Sequence, residues 1–444
     1  MRSEFALLVA LSALSAQSLG EMPSFTGHVV DADMSGDCKM AGDIDGDGLL
    51  DLVVAGSIGE GLCWYRFGTW HKTLVAQPSD QFTTDGALGD VDGDGDLDVI
   101  VPDGNQGVNL VWFRNPRPTG DPADGALWER VPVAALDDWG KDVEPADFDG
   151  DGRLDIAVRT PASAFVFFQG DGEAWTPVMV ADRLEGEGMF SGDVDGDGDV
   201  DLVFAGFWLE NPSERANARS EAWAAHLIDP GLYQEFKAVV ADINGDGHAD
   251  VVYSCSEGVG DVAWYSPDAG DPTSSWTKHV IVPELYRGHT LQVADMDGDG
   301  AMDVVVGQMH TTDERELAVY FNSGGLEPTW TKLHVSDAGL HNGVVADFAG
   351  NGYPGIFGCN WTGNPPVRFW VNHPTGCPGD LDDGGMIGSP DGGVDINDLL
   401  FFLAAYEEGR ALADVDDGSG TGTPDGGTDV NDLLYFIERY EAGC

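Results

Sequence analysis

Short runs of apolar, β-branched residues recur along this chain, each directly after a cluster of acidic residues and glycines. Leu52-Val53-Val54 is the first run, and an apolar run of this length that is bounded by turn residues predicts a buried strand. A second run is aromatic, as in Cys63-Trp64-Tyr65, and several of these runs end in a predicted turn such as Asn115-Pro116. A further segment opens with tryptophan, as in Trp70-His71. With the strand before the acidic cluster, each unit has four short strands, which is typical of a propeller blade.

The unit occurs seven times. The acidic clusters are 46 to 57 residues apart and begin at Asp43, Asp90, Asp147, Asp193, Asp242, Asp295 and Asp347. A period near 50 residues indicates a propeller or a solenoid whose units share one core. The seventh unit has no tryptophan strand at its end, whereas residues 25–30, before the first cluster, have the pattern of one. We therefore predict an all-β, seven-bladed β-propeller in which residues 25–30 complete blade seven and leave no exposed edge.

The acidic clusters have the spacing of a cation-binding loop. In the first, Asp43 to Asp51, carboxylates occupy positions 1, 3, 5 and 9, and glycines occupy positions 4 and 6. Oxygen ligands at this spacing can surround Ca²⁺, with the backbone carbonyl of position 7 as a further ligand, and glycine allows the sharp turn. An EF-hand would need an acid at position 12 and a helix on each side, but position 12 is Val54, inside a predicted strand. The unit is therefore predicted to be strand, calcium loop, strand.

Six of the seven loops keep this pattern, and we predict calcium as their cofactor. Position 7 is included for its carbonyl, and the predicted ligands are Asp43, Asp45, Asp47, Leu49, Asp51; Asp90, Asp92, Asp94, Asp96, Asp98; Asp147, Asp149, Asp151, Arg153, Asp155; Asp193, Asp195, Asp197, Asp199, Asp201; Asp242, Asn244, Asp246, His248, Asp250; and Asp295, Asp297, Asp299, Ala301, Asp303. Asn244 replaces an acid with an amide that can still coordinate. Loop seven has Ala349 and Gly355 at positions 3 and 9, so we expect it to bind weakly or not at all.

The loop and the strand after it resemble the FG-GAP/VCBS repeat, which forms the blade of the integrin α-chain propeller and of many secreted bacterial proteins. The resemblance covers roughly residues 24–373. It implies one structural Ca²⁺ in each intact loop, at the edge of the blade. Members of this family range from adhesion proteins to lectins and lyases, so the fold alone does not select a function.

Composition adds a strongly acidic surface. The net charge is −57, from 78 acidic and 21 basic residues, which argues against nucleic acid and anionic membranes as partners. Met1-Arg2, the apolar run from Phe5 to Ala16 and the small residues up to Gly20 indicate a signal peptide over residues 1–20. We therefore predict a secreted protein, extracellular or at the cell surface. No other stretch is long and apolar enough to span a bilayer.

The pattern changes after the predicted propeller domain, residues 21–375. Residues 376–444 contain two similar segments, 34 residues apart, and each leads into a predicted amphipathic helix. The apolar positions of these helices are Ile396, Leu399, Leu400 and Leu403, then Val430, Leu433, Leu434 and Ile437. The pair resembles type I dockerin modules, whose two loop–helix repeats bind Ca²⁺ and, in cellulosomes, dock a cohesin partner.

The dockerin resemblance implies both metal ligands and a partner surface. The implied calcium ligands are Asp380, Asp382, Asp395, Asp398, Asp414, Asp416, Asp429 and Asp432, and the implied partner-binding residues are Ile396, Asn397, Val430 and Asn431. Both loops are longer than in dockerins, and the partner-binding positions pair an apolar residue with an amide instead of two hydroxyls. A cohesin-like partner and a small stabilising or sorting tail therefore both stay open. Cys377 and Cys444 bracket this segment, and we expect them to form a disulfide.

Polar residues that do not repeat from blade to blade are the best candidates for function. They lie just before the loops, where the innermost strand faces the central funnel, and they are Lys141, Asp142, Glu144, Glu235, Lys237, Arg287, His289, His341 and Asn342. Together they could form a mixed-charge site for a sugar acid or a peptide, or they could be solvated rim residues. Histidines and tryptophans that repeat with the blade are interpreted as packing residues.

These features favour extracellular binding or attachment through a glycan or protein ligand over catalysis. The alternative is a polysaccharide lyase, in which His289 or His341 would be the base and Lys141 or Arg287 would neutralise the substrate carboxylate. A purely structural surface component is a third interpretation. Metalloprotease, nucleophile-elbow and phosphate-loop motifs do not occur in the sequence.

Overall fold

The computed structural model describes the predicted propeller region and parts of the tail. The described residues are 23–373, with gaps at 58, 78–80, 83, 104–107, 173, 185–186, 213–216, 233–234, 349, 351 and 362, and then 381, 396–408, 413, 415 and 428–442. The predicted signal peptide and the predicted Cys377–Cys444 disulfide lie outside these residues. Cys38, Cys63, Cys255 and Cys359 are buried free thiols.

Within this part of the chain, twenty-eight strands form seven antiparallel sheets of four strands, the blades of a propeller. The chain begins with β1 (Ser24–Asp31). Blade one contains β2 (Cys38–Gly42), β3 (Asp51–Gly56), β4 (Gly61–Arg66) and β5 (His71–Ala76). Blade two contains β6 (Ala87–Gly89), β7 (Asp98–Asp103), β8 (Asn109–Arg114) and β9 (Glu129–Ala135). Blade three contains β10 (Asp142–Ala146), β11 (Asp155–Arg159), β12 (Ser163–Gln169) and β13 (Trp175–Asp182).

The remaining blades have the same order. Blade four contains β14 (Met189–Gly192), β15 (Asp201–Phe204), β16 (Phe207–Glu210) and β17 (Ala224–Leu227). Blade five contains β18 (Phe236–Ala241), β19 (Asp250–Cys255), β20 (Val259–Pro267) and β21 (Trp276–Tyr286). Blade six contains β22 (Gly288–Ala294), β23 (Asp303–Gln308), β24 (Leu317–Asn322) and β25 (Trp330–Ser336). Blade seven contains β26 (His341–Ala346), β27 (Gly355–Cys359), β28 (Val367–His373) and, outermost, β1.

The N-terminal strand closes the ring, as predicted. Strand β1 pairs antiparallel with β28, with Thr26 opposite Val371 and His28 opposite Phe369. Blade seven therefore has four strands like the others, although one of them comes from the opposite end of the propeller sequence. The first strands of neighbouring blades contact each other around the ring, and β26 of blade seven contacts β2 of blade one.

The apolar core lies between the blades. Each of the seven large apolar clusters in the described propeller combines residues of two neighbouring blades. The second strand of every blade is buried along its whole length, which explains its uninterrupted apolar sequence. Where blades seven and one meet, Phe348 stacks on Phe67 at 6.2 Å between ring centroids and meets Phe369 edge-on at 5.0 Å.

The tail contains the two predicted helices, α1 (Ile396–Glu408) and α2 (Val430–Ala442). Their predicted apolar face is wrong for most of its residues, because Ile396, Leu400, Leu403, Val430, Leu434 and Ile437 are exposed. The helices pack instead through Phe402 and Phe436, whose rings stack at 4.0 Å. The aromatic side chains bury more apolar area, so the buried stripe of each helix is rotated towards them. No helix among the described residues is long and apolar enough to cross a bilayer.

Candidate functional site

The carboxylates of each acidic loop are held by the loop backbone. In loop one, Asp43 Oδ1 accepts a hydrogen bond from Gly46 N at 2.7 Å, and Asp43 Oδ2 accepts one from Gly48 N at 3.0 Å. Both glycines have positive φ, 77° and 91°, as the sequence predicted. Carboxylate oxygens of Asp43, Asp45 and Asp51 lie within 4.8 Å of one another. The loop therefore gathers acids that are distant along an extended chain.

The same gathering occurs in other loops. Oxygens of Asp90, Asp92 and Asp94, of Asp147, Asp149 and Asp155, and of Asp193, Asp195 and Asp197 form equivalent groups. These sets contain only oxygen donors, which suits a hard cation such as Ca²⁺. In loop five, Asp250 Oδ1 is buried and accepts no hydrogen bond from the described residues. A carboxylate oxygen left in this state is stabilised by a cation beside it.

The aspartate at position 9 also has a structural role. Asp98 Oδ2 accepts from Val91 N at 2.9 Å, and Asp98 Oδ1 accepts from Asn115 N at 2.8 Å, at the end of β8. Asp51, Asp155, Asp201 and Asp303 make the same pair of bonds in their own blades. This residue therefore joins the loop to the third strand, a function that ligand spacing does not reveal.

Burial changes the ionisation of these aspartates. Desolvation raises the pKa of Asp51, Asp98, Asp155, Asp250 and Asp303 to about 7, and that of Asp201 to about 8. Hydrogen bonds from backbone N–H groups oppose this effect, and neighbouring loop acids reinforce it. A negative charge at position 9 is consequently unfavourable unless a positive charge lies near it.

Arginines supply part of that positive charge in the first three loops. Arg66 Nε lies 2.8 Å from Asp45 Oδ2, and Arg114 Nε lies 2.8 Å from Asp92 Oδ2. At loop three, Arg219 of blade four pairs with Asp149. Arg153, predicted as a ligand only through its carbonyl, reaches Asp151 at 2.5 Å. In loops five and six, no ion pair to a position 1, 3, 5 or 9 acid occurs among the described residues.

Side-chain amides join five of the loops to the loop of the preceding blade. Asn115 Nδ2 donates to Ile44 O at 2.9 Å. The equivalent donors and acceptors are Gln169 to Val91, Asn211 to Phe148, Asn322 to Ile243 and Asn372 to Met296, at 2.7 to 2.8 Å. The sequence marked Asn115-Pro116 only as a turn, because the acceptor lies 71 residues away.

The non-repeating polar residues converge around the propeller axis. The first strands enclose a cavity of about 310 Å³, and its ionisable lining residues are Lys39, Asp85, Asp142, Glu144, Lys237 and His289. Lys237 Nζ lies 3.6 Å from Asp142 Oδ1, and Asp142 Oδ2 accepts from Gly188 N at 3.0 Å. Asp142 and His289 are only 2% and 3% exposed, so these residues form a buried network rather than a solvated rim.

The predicted funnel residues separate into two groups. Asp142, Glu144, Lys237, His289 and Asn342 line the cavity. Lys141, Glu235, Arg287 and His341 are not in its lining.

The second group nevertheless includes residues that contact the pocket network. Lys141 Nζ lies 3.3 Å from Glu187 Oε2, and the ring of His341 stacks on that of His289 at 3.9 Å. Arg287 Nη1 instead donates to Thr311 Oγ1 at 2.8 Å.

Two residues that line the cavity, Lys39 and Asp85, were missed from the sequence, as was Glu187, which contacts His289 beside the cavity. A positional signal existed for two of them. Asp85 lies five residues before its loop, as do Asp142 and Lys237, and Glu187 lies six residues before its loop, as do His289 and His341. Desolvation raises the pKa of Glu144 to about 8, with a contribution from Asp85, whose own pKa burial raises to about 6.

The comparison with known families agrees with the repeat geometry. The FG-GAP-like repeat matches residues 43–101, 90–158, 147–204 and 242–306, which together span just over half of the chain. The chain belongs to the FG-GAP-like repeat family. No curated protein shows significant sequence similarity to it.

Several solved structures are similar to this FG-GAP protein at low sequence identity. An Agrocybe aegerita lectin that recognises non-reducing terminal N-acetylglucosamine is 16% identical, with a TM-score of 0.49 over 80% of this chain and 96% of the lectin chain. BBS1N, solved in complex with ARL6DN, is 13% identical, with a TM-score of 0.48 over 78% and 95%. The Vibrio cholerae biofilm matrix protein Bap1 is 11% identical, with a TM-score of 0.41 over 76% and 88%.

The tail that follows the FG-GAP propeller has two equivalent buried aspartates. Asp398 Oδ1 accepts from Leu381 N at 2.5 Å, and Asp432 Oδ1 accepts from Val415 N at 2.7 Å. Both acceptors lie 17 residues after their donors, so the two hydrogen bonds are equivalent. Ile396 and Val430, at the starts of the helices, are exposed. Asp429, another predicted ligand, accepts from Asn431 N at 2.7 Å. The other five predicted ligands lie outside the described residues: Asp380, Asp382, Asp395, Asp414 and Asp416.

Proposed function

We propose that this protein is a secreted binding protein whose ligand occupies the axial pocket of the propeller. The observation that carries the proposal is the contrast between the repeating scaffold and the pocket. The loops, second strands and interblade amides repeat. In five of the seven blades, by contrast, the residue five positions before the loop is polar and differs: Asp85, Asp142, Lys237, Thr290 and Asn342, all of which line the cavity. Packing alone gives no reason for this variety, and a specific polar ligand does.

The pocket chemistry supports a carbohydrate or peptide ligand. Its volume of about 310 Å³ lies at the lower end of the range for small-molecule sites. Lys39 and Lys237 are cationic donors, Asp142 is an acceptor, and Glu144, with its pKa raised to about 8, can both donate and accept at neutral pH. These side chains would provide a hydrogen-bond or ion-pair partner for each polar group of a sugar acid, or of a peptide with charged groups of both signs.

Calcium is proposed as a structural ion of the first six loops. Their all-oxygen donor sets and the unpartnered Asp250 Oδ1 support this role. We also propose that the tail binds Ca²⁺ and docks a protein partner of the cohesin type. The exposed apolar side chains of Ile396 and Val430 at equivalent helix starts support such a surface.

Binding is favoured over lyase chemistry. Of the four residues that a lyase would use, only His289 lines the cavity. The Lys141 ammonium pairs with Glu187, and the Arg287 guanidinium binds Thr311. Neither cation is therefore available to a substrate carboxylate in the pocket.

A panel of acidic polysaccharides and charged peptides tests the proposal, with retention and unsaturated products measured together. We expect retention without product, and weaker retention for Glu144→Gln and Gln292→Ala, which change the pocket lining. Glu129→Gln, on an outer strand, is the matched control and should bind like the wild type. Product formation would favour the lyase, and equal retention by all variants would exclude the pocket as the binding site.

A further inference from the structure

A cluster beside the axial pocket combines one imidazole with two carboxylates. His289 Nε2 lies 3.0 Å from Glu187 Oε1 and 3.7 Å from Glu257 Oε1, and all three atoms lie within 4.8 Å of one another. The ligand atoms of tetrahedral Zn²⁺, with bonds of 2.0–2.2 Å, are about 3.4 Å apart. The cluster therefore has the spacing of a three-ligand metal site.

Asn342 determines which nitrogen of His289 faces the carboxylates. Asn342 Nδ2 donates to Thr84 O at 2.9 Å, which turns the amide oxygen towards His289 Nδ1, 3.0 Å away. Because an amide oxygen only accepts hydrogen bonds, Nδ1 must carry the hydrogen. In the neutral ring, the Nε2 lone pair then faces two carboxylates. A cation between these three groups removes the repulsion.

The second oxygen of each carboxylate already has a basic partner. Lys141 Nζ lies 3.3 Å from Glu187 Oε2, and Arg287 Nε lies 3.8 Å from Glu257 Oε2. Glu187 Oε1, by contrast, is buried and accepts no aligned hydrogen bond from the described residues, although His289 Nε2 is close. The Glu187 side chain, which is more than nine-tenths buried, thus directs into the cluster a carboxylate oxygen that has no aligned hydrogen-bond donor among the described residues.

We propose that Glu187, Glu257 and His289 bind one divalent transition-metal ion, with Zn²⁺ as the probe. Imidazole combined with carboxylates suits such metals, whereas Ca²⁺ takes oxygen ligands. The site is therefore chemically different from the aspartate loops. Three protein ligands leave a fourth coordination position for water or a ligand group. Because His289 lines the axial pocket, a ligand there could reach the metal.

Titration of the full-length protein in millimolar Ca²⁺ tests this site, using Zn²⁺ with calorimetry and Co²⁺ with visible absorption. We expect one tight equivalent of Zn²⁺ in the wild type. His289→Gln and Glu257→Gln should each weaken it by more than about 100-fold, because a ligand contributes more than a group that hydrogen-bonds to a ligand, whose loss costs about 10–100-fold. Asn342→Leu should weaken it by about 10–100-fold and shift, without abolishing, the Co²⁺ spectrum.

His334→Gln is the matched control. His334 also lies between two carboxylates, 3.3 Å from Glu316 and 3.6 Å from Asp337, but on the surface. This variant should keep the tight equivalent. Equal Zn²⁺ affinity in the wild type and in both ligand variants, or loss only in His334→Gln, would overturn the proposal. If His289→Gln does not fold, Glu257→Gln decides, because Glu257 is the most exposed of the three ligands. The titration needs no glycan or peptide, so its result is independent of the proposed binding function.

Discussion

The side-chain amide of Asn322 in blade six donates to the backbone carbonyl of Ile243 in blade five, 2.8 Å away. The same amide donates to Met302 O at 3.0 Å, within its own blade. One buried side chain thus holds two acidic loops in register. Because equivalent amides recur around much of the ring, the loops form a connected belt rather than independent sites.

The first prediction concerns this amide. Asn322→Ala should lower the free energy of unfolding by about 1–3 kcal/mol, since it leaves buried carbonyls without a donor. Chemical denaturation in millimolar Ca²⁺ measures the change. Asn109→Ala, which removes a single long bond of 3.4 Å to Asp103 O, is the control and should cost less. Similar losses for both variants would show that the interblade bond is not stabilising.

The second prediction concerns calcium in loop six, where the described residues provide no basic partner for the acids. Ions that bind only the folded state stabilise it by about 2.7 kcal/mol per site at a hundredfold excess over Kd. Asp297→Asn should therefore reduce the rise in melting temperature that Ca²⁺ produces. Asp137→Asn, at an exposed position outside the loops, should leave that rise unchanged. A melting curve that is the same in EDTA and in Ca²⁺ would disprove structural calcium altogether.

The third prediction concerns pH. Burial raises the pKa of Asp303 from 3.8 to about 7 in the folded state, so the metal-free folded protein binds more protons than the unfolded chain between these values. Its stability should then fall as pH rises from about 4 to 7. In Ca²⁺ this loss should be smaller, because the ion favours the ionised carboxylate. Melting temperatures from pH 5 to 8 in EDTA, for the wild type and Asp303→Asn, measure the slope. If the melting temperature of Asp303→Asn had the same dependence on pH as that of the wild type, the raised pKa would not belong to Asp303.

The fourth prediction concerns ring closure. Deletion of residues 1–35 removes β1 and exposes the β28 edge, so this variant should be strongly destabilised. A chain that ends at His373 keeps all four strands of blade seven and should melt close to the full-length protein. Thermal melts of both variants in millimolar Ca²⁺ distinguish them. If the chain that ends at His373 melted at a lower temperature than the chain without residues 1–35, β1 would not be the strand that stabilises blade seven.

The propeller was predictable because its information is local and repeated. The run Leu52-Val53-Val54, the loop glycines and the period near 50 residues each follow from neighbouring positions, and the closing strand follows from a count of strands. The interblade amides were not predictable, since their partners lie 63 to 79 residues apart. In the tail, the 3.6-residue period located both helices but not the whole buried face, because Phe402 and Phe436 form the core and only Leu399 and Leu433 of the predicted apolar positions pack against it.

The axial pocket was predictable only in part. The absence of repetition selected Asp142, Lys237 and His289, which line the cavity. Glu257 could not be found in this way, because it lies between the second and third strands of blade five and reaches His289 only through the fold. Glu257 follows the second strand of its blade, whereas the sequence criterion applies only to residues that precede the loops.

The location of the apolar core between the blades has a consequence for recognition. Since every blade shares its core with two neighbours, no wall of the axial pocket can move without separating two packed surfaces. The conformational entropy of the pocket is therefore lost when the chain folds, before any ligand arrives. When a ligand that fits binds, its binding free energy is therefore reduced little by the entropy cost of ordering the protein. A ligand that does not fit meets a wall that cannot adapt to its shape.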